Sequence, residues 1–116
     1  MDLSIRLNIL KDAGQITENT YKTINEVILL LKEKRGIILT EENGAMFVTH
    51  LCSALTRIEK KDLVNKIENS ILEEIKQDAN YDKTLEIVKD LENVTGEFPE
   101  EERDFIEMHI CTLLNN

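Results

Sequence analysis

Residues that interrupt helices are scarce in this chain, with one proline and four glycines among 116 residues, so its natural breaks are few. Cysteine is as sparse. Cys52 and Cys111 are too few for a disulfide framework, and in a reducing compartment they stay thiols that pack as small hydrophobes. Positive charge is short as well: Lys and Arg number 14 against 23 Asp and Glu, for a net charge of -9. The basic residues are scattered or form brief stretches at 32–35 and 57–61. Nucleic-acid affinity comes mostly from clustered cations that release phosphate counterions, so no direct nucleic-acid binding is expected, and there is little attraction for anionic lipid. No apolar run approaches the roughly 18 residues of a membrane span. The longest run of large apolar residues is Val27 to Leu31. The start, MDLSIRLNIL, lacks a basic beginning, a long apolar core and a small-residue cleavage site, so the expected location is cytoplasmic, with no membrane association.

What is present is helical patterning. Hydrophobic residues make up 41% of the sequence and charged residues 32%, a globular balance, and the length suits one domain over residues 1–116. The periodicity predicts an all-α protein, a compact bundle of five or six helices. A first helix from about Asp2 to Ala13 would carry Ile5, Ile9 and Leu10 on one stripe and stop at Gly14. Thr17 is placed to cap a second, with Tyr21, Ile24, Ile28 and Leu31 on its stripe, Val27 and Leu30 widening it, and Gly36 ending it. After the apolar connector Ile37–Leu39, Thr40 would cap a third helix reaching about Lys61, with Val48, Leu51, Cys52, Leu55 and Ile58 buried.

Beyond Lys61, a helical stripe of Leu63, Ile67, Ile71, Leu72 and Ile75 runs to about Gln77, and residues 78–80 form a turn. Asp82 begins the next amphipathic segment, with Leu85, Val88 and Leu91 recurring every three residues beside Ile87, up to Val94–Gly96. Pro99 suits the first turn of a last helix, where three glutamates complement the dipole.

The only two histidines, His50 and His109, lie in the third and last helices. At about 100° per residue, His50 and Arg57 fall within about 20° of each other, opposite the Val48–Leu51–Leu55 stripe, on a face expected to point outward with Met46, Ser53 and Ala54 nearby. A solvated arginine beside an exposed histidine is the plain alternative. His109 shares a broad face with Phe105, Ile106, Ile110 and Leu113 and is expected to be partly buried. A core histidine satisfied by a carbonyl or carboxylate is its alternative. Glu102 lies almost on the His109 line but two turns away, so direct pairing of those two would need an intermediary. The echo of HLCSAL in HICTLL sets a cysteine two residues after each histidine. Residues two apart point about 200° from each other, so neither pair converges on one metal ion, and no metal or cofactor is expected. Without a glycine-flanked serine or a phosphate-binding glycine loop, no enzyme is expected either.

The segments THLCSALTRIEKK and EERDFIEMHICTLL resemble the two signature helices of the phosphotransferase system regulation domain, the PRD family. In the first, a histidine precedes an arginine by seven residues, here His50 and Arg57. The second runs from an acidic residue through an aromatic to a histidine, here Glu102, Phe105, Ile106, Met108 and His109. The segment ILKDAGQIT and the helix around Tyr21 extend the resemblance over most of the chain. Departures from the family pattern stand at Thr49, where many relatives are acidic, and at Asp104 and Glu107, which replace small positions. The resemblance implies histidine phosphorylation at His50 and His109, with Arg57 and Glu102 in support. Phosphocarrier HPr or an enzyme II component would be the donor, acting on a homodimer that controls carbohydrate-related transcription or antitermination. Relatives couple such modules to RNA-binding antiterminator or DNA-binding domains, neither of which is visible here. The alternative is a helical interaction and dimerisation module that has lost phosphoryl acceptance.

Overall fold

A computed structural model describes residues 3–62 and 67–115. The expected start at Asp2 and the stripe position Leu63 lie outside the described residues. Six helices follow in order: α1 (Leu3–Asp12), α2 (Glu18–Arg35), α3 (Glu41–Lys60), α4 (Asn69–Gln77), α5 (Tyr81–Thr95) and α6 (Glu100–Leu114). The described residues form no strand, and among them no helix is long and apolar enough to cross a membrane.

The helix boundaries follow from capping chemistry. Thr17 accepts the Thr20 N–H at the start of α2, and Gly36 ends that helix in the left-handed region at φ 66°, its own N–H donating to the Lys32 carbonyl at 3.1 Å and the next N–H, of Ile37, to the Leu31 carbonyl at 2.9 Å. Thr40 and Asn43 form a reciprocal capping box on α3: Asn43 N–H donates to Thr40 Oγ1 at 3.2 Å, and Thr40 N–H to Asn43 Oδ1 at 2.7 Å. Thr40→Ala removes one acceptor and unseats the other, so stability should fall by about 1 kcal/mol. A lowered urea midpoint at unchanged slope would verify this.

One main core joins α1, α2, α3, α5 and α6 through Leu7, Ile24, Leu31, Leu51, Ile87, Leu91, Ile106 and Ile110, all fully buried or nearly so. A smaller cluster of Ile67, Ile75 and Cys111 seats α4 against α6. The α2–α5 contact is fixed by buried Asp90, which accepts from Lys34 Nζ at 2.9 Å and from Arg35 Nη2 at 2.6 Å. Gly44 lets the connector close on α3, since a Cβ there would stand 3.2 Å from the Leu39 side chain.

Several expected stripes are corrected. On α1 the buried residues are Leu3 and Leu7, with Leu10 half-buried, whereas Ile5 and Ile9 are 48% and 53% exposed. Only one face of this short helix meets α2 and α3, and the 3-7-10 spacing wins it. On α5 the buried stripe is Thr84, Ile87, Val88 and Leu91, and Leu85 lies outside it. Ile67 is buried ahead of α4 rather than within it, Ile71 is exposed, and Pro99 precedes the first helical residue of α6.

Candidate functional site

The third helix has no fully outward face, because α1, α2 and α6 all pack on it. The side of α3 carrying His50 and Arg57, expected to face solvent, meets α6, and Ala54 beside them is fully buried. Met46 and Ser53 do stay exposed, at the edge.

Along this seam α3 and α6 run antiparallel, which gives the two seven-residue spacings a common meaning. The step from His50 to Arg57 on one helix lies alongside the step from His109 back to Glu102 on the other. The imidazoles meet at one end, with ring centroids 4.7 Å apart, and Phe105 stands 5.5 Å from His50. The ion pair closes the other end: Arg57 donates from Nε to Glu102 Oε2 at 2.7 Å and from Nη2 to Oε1 at 2.9 Å. Glu102 is only 3% exposed, so this bidentate pair is a deeply set cross-brace. Its Oε1 is 4.0 Å from His50 Nε2, too far for a hydrogen bond, and that buried nitrogen has no hydrogen-bond partner among the described residues.

Electrostatics keeps both rings neutral near pH 7. Burial lowers the His50 pKa and the Arg57 charge lowers it further, with Glu102 pulling the other way. His109 falls to about 4, first through burial and then through its proximity to His50. Glu102 in turn raises the Arg57 pKa through their hydrogen bonds. Each ring therefore keeps an unprotonated nitrogen with a lone pair.

The rings are not sealed from solvent. A groove of about 510 Å³ is lined by Arg6, Met46, Thr49, His50, Ser53, Arg57 and His109, among others. Arg6 reaches it from α1, paired with Glu41 and directed at Thr49 Oγ1 at 3.5 Å. The place of Arg6 depends on where α1 lands on α3, and no local spacing in the sequence carries that signal. The partner of Glu102 is likewise set by helix packing, and it is Arg57.

Each cysteine points away from its histidine. Cys52 belongs to the main core, where burial pushes its thiol up to about 11, and Cys111 to the smaller cluster. Among the described residues no three His, Cys, Asp or Glu side chains converge to hold a metal.

Fold and seam together define a helical module built around a paired-histidine groove. The PRD domain profile matches residues 25–112, and the chain belongs to that family. It is similar to an uncharacterized protein, YhfY, of Escherichia coli (strain K12), with 27% identity over 85 residues that make up 73% of this chain and 71% of that protein. No solved structure matches significantly.

Proposed function

We propose that this chain is a phosphorylation-responsive regulatory module of the sugar phosphotransferase system, with His50 and His109 as phosphoryl acceptors. The observation that carries the reading is the ring pair, 4.7 Å apart and opening on one groove that two arginines border. A donor phosphohistidine on HPr or an enzyme II component presents its phosphorus to a neutral ring. The ring lone pair forms the new N–P bond as the donor N–P bond breaks, its electron pair returning to the donor ring. One proton moves from the acceptor imidazole to the donor imidazole, and the protein is a substrate in this step rather than an enzyme.

The product carries roughly one and a half to two negative charges where two neutral rings had been in tilted contact. At His50 Nε2 the new anion would face Glu102 Oε1, so acceptance there uses the other nitrogen or follows displacement of Glu102. Arg57, released from Glu102, would pair with the phosphoryl group. The α3–α6 seam is then the bistable element, and a homodimer that reads it through nearby surface such as Met46, 77% exposed, passes the change to carbohydrate-related transcription or antitermination. A cytoplasmic location goes with such donors.

Transfer from phosphoenolpyruvate through the general carrier proteins tests this, with wild type, His50→Ala, His109→Ala and the double variant followed by intact-mass spectrometry. Label should appear on wild type and vanish from the double variant. Label persisting in the double variant removes both acceptors. No label with several competent donors favours the second reading, a dimerisation module without phosphoryl acceptance, which the sealed Nε2 of His50 supports.

A further inference from the structure

We infer that the solvent-accessible edge of α3 from Thr49 to Lys60 is a non-covalent binding site for a small phosphate ester, independent of any phosphoryl transfer to the histidines. The first observation is charge placement. This protein carries 23 acidic residues against 14 basic ones, yet no Asp or Glu is among the described residues lining the histidine groove or the neighbouring groove of about 340 Å³. The two grooves share Thr49, Ser53 and Arg57, and Lys60 lines the far end of the second. At i, i+4, i+8 and i+11, Thr49, Ser53, Arg57 and Lys60 form one stripe of hydroxyls and cations on a single helix.

The second observation is unused donor capacity. Arg57 spends Nε and Nη2 on Glu102, and its Nη1 makes no hydrogen bond among the described residues. Lys60 is exposed and forms no ion pair among them. Arg6, paired with Glu41 and directed at Thr49 Oγ1, adds no free donor and serves only to frame the opposite end of the histidine groove. The remaining Arg57 Nη1 edge and the neighbouring hydroxyls offer donors to the tetrahedral oxygens of a phosphate, with a lysine as a further point charge. The size of the histidine groove falls within the roughly 300–1,000 Å³ usual for small-molecule sites, so there is room for an organic group beyond the phosphate. The exposed Met46 and half-buried Ala45 at its rim offer that group apolar contact.

The experiment titrates the full chain, without any phosphoryl donor, with inorganic phosphate, a hexose 6-phosphate and the free hexose at constant ionic strength, observing amide and imidazole NMR shifts. Saturable shifts confined to the α3 stripe are expected for both phosphates, tighter for the ester, and none for the free hexose. Lys60→Gln, a surface change, should weaken binding at least about fivefold, and the paired change Arg57→Met with Glu102→Gln, which leaves no buried charge unmatched, should weaken it more. Shifts that never saturate, or that neither variant alters, overturn the inference. Because no donor is present, failure here leaves the phosphotransfer reading standing, and failure of phosphotransfer leaves this site standing.

Discussion

Arg57→Ala is expected to destabilise the protein by about 2–4 kcal/mol, far more than removal of a surface arginine. The reason lies in its partner. Glu102 is 3% exposed and takes both of its strong hydrogen bonds from Arg57, so truncating the arginine leaves a buried carboxylate facing His50 Nε2 at 4.0 Å and little else. Arg57 itself borders solvent, which lets water reach part of the vacated space and holds the cost below that of a pair sealed on all sides. Chemical denaturation of Arg57→Ala, Glu102→Gln and the double variant separates the pair energy from the cost of an orphaned charge. The double variant should recover most of the loss. Equal losses in Arg57→Ala and the double variant would mean that the carboxylate left behind carries no penalty, and that the loss comes from the missing arginine contacts instead.

The same pair explains what the sequence could and could not disclose. Both seven-residue spacings, His50 to Arg57 and Glu102 to His109, are visible in the linear text, and helical geometry puts each on a single line. Their correspondence is a property of two antiparallel helices, and nothing local encodes which helices will be neighbours. Seen one helix at a time, Glu102 looks two turns from its own histidine, and the His50 face looks free because the stripe opposite it is already apolar. Packing of α6 removes that freedom. Where the pattern was local and repeated, at the Thr17 and Thr40 caps, the Gly36 stop and the α3 core stripe, it needed no tertiary information. On α1, two competing stripes of similar hydrophobicity existed, Ile5 with Ile9 and Leu3 with Leu7, and only the docking of α1 on α2 and α3 decides between them. Arg6 follows from the same docking. With Leu7 turned inward, its neighbour projects along the α3 surface to Glu41 and Thr49.

Lowering the pH from about 6.5 to about 4 should cost the folded state about 1–2 kcal/mol through His109, the groove's solvent screening the effect below the full value of the shift. The sign follows from the direction of that shift. The unfolded ring binds a proton below its ordinary value of about 6.5, whereas the folded ring, buried and beside His50, resists protonation down to about 4. Between those limits the unfolded chain holds more protons, so stability is complete above the window, declines through it and loses nothing further from His109 below it. His50, also lowered, adds to the decline. Glu107 acts oppositely in the same range: its pKa is raised by burial and by Asp104, against Arg103, Tyr81 and Lys76, so protonation favours the folded state there. Urea midpoints at several pH values for wild type and His109→Gln isolate the histidine contribution, since Glu107 is common to both. The wild-type curve should fall more steeply with acid, and the difference between the two should level off near pH 4. Parallel curves would mean that the folded His109 ring titrates like free imidazole, and that neither its burial nor the neighbouring His50 ring penalises its protonated form.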